Sequence, residues 1–93
     1  MFIKVIWFHQ FVEEPVLLYS ELDCERYEIR KIEFFRNNKV GFASEEIECA
    51  DTALGSQPVP KLTEINKNNE FYGIEISKDE FEVIWKDTLD KLK

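Results

Sequence analysis

The sequence predicts an α+β fold: an antiparallel four-stranded meander sheet with a C-terminal amphipathic helix on one face, and a short helix plus irregular segment covering the rest. Three observations predict it. Aromatic and β-branched residues at strand spacing fill the first half, Gly and Pro interrupt the middle, and a capped segment of helical periodicity closes the chain. At 93 residues the chain makes a single domain, 1–93.

Phe2 to His9 reads as the first strand. Ile3, Val5 and Trp7 point one way and Phe2, Ile6 and Phe8 the other; a strand apolar on both sides belongs in the middle of a sheet. Pro15 cannot donate to a ladder, so the second strand runs from Val16 to Leu22. The third, Arg26 to Phe35, changes phase between Tyr27, Ile29 and Ile32, Phe34. A bulge at Arg30-Lys31 would place all four on one face; otherwise the strand crosses from one core to another. Asn37-Asn38 suits a two-residue hairpin turn, because Asn tolerates positive φ. Lys39 to Ser44 follows, with Val40 and Phe42 inward.

Glu45 to Pro60 is irregular, broken by Gly55, Pro58 and Pro60, with Ile47, Leu54 and Val59 available to pin it to the core. Pro60 opens a short helix over Lys61 to Asn66, since its missing N–H is not needed there. Ser77-Lys78-Asp79-Glu80 is a capping box. Phe81, Ile84, Trp85, Thr88 and Leu92 then form the apolar face of the last helix. Acids stand in its first turn and Lys91 and Lys93 at its end, as the helix dipole favours.

Nineteen acids against twelve bases give a net charge of −7. Phosphate backbones are gripped by Lys and Arg, so nucleic acid is a poor partner and a basic protein a better one. Two cysteines without Cys-x-x-Cys spacing offer neither a disulfide framework nor a zinc knuckle, and point to reduced thiols and a cytoplasmic location. No stretch reads as a signal peptide or membrane span.

Catalytic residues, metal ligands and cofactors are not expected. His9 is the single histidine; paired with Glu13 or Glu14 it would make an acid–base couple, and otherwise it is a structural donor to a loop carbonyl. Cys24 lies among Glu21, Asp23 and Glu25, which oppose a thiolate. Glycine-rich phosphate cradles are absent. The rings of the amino-terminal strands are expected in the core, not on a stacking platform. What remains is charge: Glu21 and Asp23 on one loop and Glu45, Glu46, Glu48 and Asp51 on another are the candidate partner-binding residues. They fit an acidic binding protein, such as an immunity protein occluding a basic toxin, for instance a nuclease; a solvated loop is the plainer reading. A small enzyme and a homo-oligomeric structural module are the alternatives.

The runs Ile3-Lys4-Val5-Ile6-Trp7-Phe8-His9, Glu14 to Asp23 and Arg26 to Lys31 together resemble a widespread bacterial family of small proteins of unknown function. Gly41-Phe42-Ala43, Pro58-Val59-Pro60 and Ile76 to Phe81 extend the resemblance over nearly the whole chain. It implies a bacterial source and a stand-alone domain, and brings no site residues with it. Gln10 and Val12 depart from a stretch that is usually more acidic and proline-bearing.

Overall fold

A computed structural model describes residues 1–49 and 52–91. The chain runs β1 (Phe2–Trp7), β2 (Leu17–Leu22), β3 (Glu28–Phe34), β4 (Val40–Ser44), β5 (Glu48–Cys49), α1 (Leu62–Ile65), β6 (Phe71–Ile76) and α2 (Lys78–Asp90). Among the described residues the strands form one antiparallel sheet of six, ordered β5-β4-β3-β2-β1-β6. The expected meander is its β1–β4 portion, and β1 is central, between β2 and β6.

The four-strand expectation is corrected by β5 and β6. A two-residue strand such as β5 carries too little pattern to read. In β6 the mid-strand Gly73 weakens the strand signature, yet the fold needs it. A Cβ there would lie 2.9 Å from Leu62 Cδ2, so glycine lets α1 sit directly on the strand. Asn66, which follows α1, donates to the Gly73 carbonyl at 2.9 Å and accepts from its N–H at 2.6 Å. That carboxamide occupies backbone groups an edge strand would otherwise offer to another chain.

The phase change in β3 is a register shift: Glu21 faces Arg30, whereas Leu22 faces Glu28, so Ile29 is the extra residue. It falls one position before the expected bulge. Tyr27 precedes the strand and is exposed, so it does not join Ile32 and Phe34. The hairpin has three loop residues instead of two. Phe35 N–H donates to Lys39 O at 2.9 Å, and Asn38 supplies the positive φ of 66°.

Helix α2 covers one face of the sheet. Phe81, fully buried, packs with Tyr19, Ile32, Phe42 and Ile76, while Ile84, Trp85 and Leu89 border them. Half of the expected capping box forms: Ser77 Oγ accepts from Glu80 N–H at 3.0 Å, while among the described residues the Glu80 side chain makes no return bond to the Ser77 N–H. Leu89 joins the helix face; Leu92 and Lys93 lie outside the described residues. Arg30 ties the helix down: Nε donates to Glu21 at 2.6 Å, and its two terminal nitrogens grip Glu82 at 2.8 and 3.0 Å. Its guanidinium also lies 4.9 Å from the Phe81 ring centroid and 5.2 Å from that of Trp85.

The other face is covered by different chemistry. Thr52 Oγ1 donates to Glu33 at 2.8 Å, Gly55 N–H to Glu28 Oε1 at 2.6 Å, and Lys31 Nζ to Ala53 O at 3.1 Å. Polar groups of β3 thus fasten the irregular segment more than the apolar pins expected of it. Ile47 is 46% exposed and pins nothing. Close approach of Thr52 requires Gly41, where a Cβ would collide with the threonine hydroxyl.

Candidate functional site

The sheet register decides where the predicted acids go. β2 and β4 end on the same side, as does β6, from which α2 departs. The β2–β3 and β4–β5 loops are therefore neighbours, two strands or about 10 Å apart at the usual strand spacing. They are not equivalent. Glu21 is turned inward onto Arg30, its side chain 21% exposed. Asp23 Oδ1 accepts from the N–H groups of Glu25 and Tyr27, both at 2.9 Å, and so builds the turn. Glu45, Glu46 and Glu48 are exposed, and Asp51 lies outside the described residues. Exposed Glu25, of the same predicted acidic loop as Asp23, stands at this end, as do exposed Asp79 and Glu80 of α2, which were not among the predicted residues. Their separation along the chain hid this.

A groove opens on the face away from α2, between the sheet and the segment leading into α1; its volume is about 450 Å³. Ile3, Val5 and Trp7 of β1 form its floor with Leu18 and Ser20 of β2. The register makes Ile3 opposite Ser20 and Val5 opposite Leu18, so these side chains share one face. Val59 and Pro60 make one wall and α1 contributes Glu64 and Ile65. Trp7 and Phe71 stack at one end, ring centroids 5.6 Å apart. Glu28 stands at the other.

Arg26 holds the wall in place. Its Nε donates to Val59 O and a terminal nitrogen to Pro60 O, both at 2.8 Å, while Val59 N–H donates back to Arg26 O at 2.8 Å. It does so from a left-handed backbone, φ 71°, which a side chain rarely adopts. Trp7 corrects the expectation that the amino-terminal rings all sit in a closed core. Its indole N–H is nevertheless buried, with no acceptor among the described residues.

A family model described as a domain of unknown function, DUF6881, matches residues 1–90. The chain belongs to the DUF6881 family. No curated protein and no solved structure matches it.

In this DUF6881 chain His9 is a loop clamp. Nε2 lies 2.7 Å from Pro15 O and Nδ1 accepts from Phe11 N–H at 2.9 Å, so both ring nitrogens are engaged by backbone and the proton resides on Nε2. Glu13 and Glu14 are exposed on the same loop. Arg36 adds bonds to the carbonyls of His9 and Phe11. Cys24 is exposed and Cys49 half-buried, both free. Among the described residues no group of three potential ligands gathers for a metal, and no helix is long and apolar enough to cross a membrane.

Proposed function

We propose that this DUF6881 chain is a non-catalytic, acidic binding protein of the bacterial cytoplasm that occludes a basic protein partner, in the manner of an immunity protein neutralising a toxin. The observation that carries the reading is the exposed acidic end: Glu45, Glu46 and Glu48 beside Glu25 and the first turn of α2. Those three carboxylates make no hydrogen bond or ion pair among the described residues, so their charge is available to a partner. Opposite fields steer encounter and raise association rates. A basic nuclease domain is the partner class that such a surface suits, because its own phosphate-binding cleft is cationic. Asp23 and Glu21 support this end by shaping and anchoring it rather than by contact.

The test is the triple variant Glu45→Lys, Glu46→Lys, Glu48→Lys. Wild-type protein used as bait in its host should retain a basic protein and inhibit its activity. The variant should associate more slowly, with affinity falling at least about tenfold at low salt, a change of about 1.4 kcal/mol. Equal affinity and equal salt dependence would remove the acidic end from the proposal.

A further inference from the structure

We infer that the groove beneath α1 is a binding site for a small amphipathic amine, an ammonium group on an apolar body. This site is separate from the acidic end and does not rest on the proposed partner. Its volume of about 450 Å³ falls in the range of small-ligand pockets. Ile3 to Trp7 along β1 gives it a length of roughly 13 Å at about 3.3 Å per residue.

The two ends differ in chemistry. At the Trp7 end, stacked rings and Val5 offer only apolar surface and π-faces. At the other end stand the Ser20 hydroxyl and the Glu28 carboxylate, while Glu64 lines the side. Among the described residues the charged side chains lining the groove are both carboxylates; Glu64 already pairs with Lys67 at 3.2 Å, so Glu28 carries the argument. Gly55 N–H and Lys31 both engage Oε1 of Glu28, and Oε2 accepts no hydrogen bond among the described residues. Lys31 also faces Glu33 at 3.9 Å, so this cluster holds two carboxylates against one ammonium. A ligand ammonium at the Ser20–Glu28 end restores the balance, and its apolar body covers Leu18, Val5 and the rings. An anionic head would meet like charge.

Octylamine, octan-1-ol and octanoate share one chain and differ in the head, so they separate the apolar and charged contributions. Each is titrated into the whole protein while the two indole N–H resonances and the backbone amides are followed by NMR, with the indoles assigned through Trp85→Phe. Octylamine should saturate, move Trp7, Val5 and Leu18, and leave Trp85 on the far face unmoved. Octanol should bind about tenfold more weakly, because hydrogen bonds to a charged group are the stronger class, and octanoate more weakly still. The Glu28→Gln, Glu64→Gln variant should bring octylamine and octanol to equal affinity. Shifts that never saturate, shifts centred on Trp85, octanoate binding as well as octylamine, or an amine preference surviving in the double variant would each overturn the assignment.

Discussion

Helix α2 seals its face of the sheet with rings and a guanidinium, whereas the segment entering α1 is held on the opposite face by hydrogen bonds and leaves a groove beneath it. Apolar burial is non-directional, so an amphipathic helix settles wherever it excludes most water. Hydrogen bonds fix a segment at a few points and leave the spans between them open. The difference shows how one sheet can carry its stability on one side and a recognition surface on the other.

The largest expected effect falls on the sealed face. Phe81 is fully buried between helix and sheet, so Phe81→Ala should cost about 3–5 kcal/mol. Domains of this size have roughly 5–15 kcal/mol in all. Val5→Ala, on the half-buried floor of the groove, should cost about 1 kcal/mol. Urea unfolding monitored by circular dichroism compares them directly. Similar losses for the two variants would show that the groove floor is as tightly packed as the helix face.

The second comparison lies within the groove wall. Arg26→Ala removes the clamp on Val59 and Pro60 but keeps a side chain at φ 71°. It should cost about 1.5–3 kcal/mol, the range for hydrogen bonds to a charged group. Arg26→Gly loses the same clamp and gains a residue that adopts this backbone freely, so it should recover about 1 kcal/mol relative to alanine. Hydrogen exchange of the Val59 amide should quicken in both. If glycine proves no better than alanine, the left-handed backbone carries no strain at this turn.

How much of this was legible in the sequence follows the same division. Helix α2 is announced locally, by Ser77, Glu80 and the spacing of Phe81, Ile84, Trp85 and Thr88, and each sign lies within a few turns of the next. Strands β1 to β4 are legible for the same reason. β6 is not, because the Gly73 that admits α1 also interrupts its pattern. The groove is the least legible part. Ser20 and Glu28 read as ordinary positions of two strands, and Glu64 as a helix-surface acid; only the register and the Arg26 clamp bring them to one cavity. Similarly, Lys31 and Glu33 suggest a solvated strand face, yet they are the hooks for Thr52 and Ala53.

A smaller effect is expected at the sheet edge beside the groove. Asn66→Ala frees the Gly73 N–H and carbonyl and should cost about 1–2 kcal/mol for two hydrogen bonds. Its more telling consequence is association, since an uncovered edge strand is a template for a second chain. Sedimentation velocity should show concentration-dependent dimers in the variant beyond those of the wild type. Identical profiles would mean that α1 itself, and not the carboxamide, guards β6.

The smallest effect concerns pH and returns to the helix face. The Arg30 guanidinium, through its paired hydrogen bonds, holds the Glu82 carboxyl below its ordinary value of 4.5. A depressed folded-state pKa means that the unfolded chain takes up the proton first. The contribution is therefore complete above about pH 4.5 and is lost as pH falls through the lower folded value. Glu82 is 40% exposed, so solvent screens the pair and the contribution is modest. Glu82→Gln keeps a hydrogen-bond acceptor for Arg30 but cannot titrate. The stability gap between wild type and this variant should be present at pH 6 and narrow towards pH 3, read from urea midpoints at each pH. A gap unchanged with pH would show that the glutamate holds α2 by shape and packing alone, leaving the sealed face no electrostatic component at this pair.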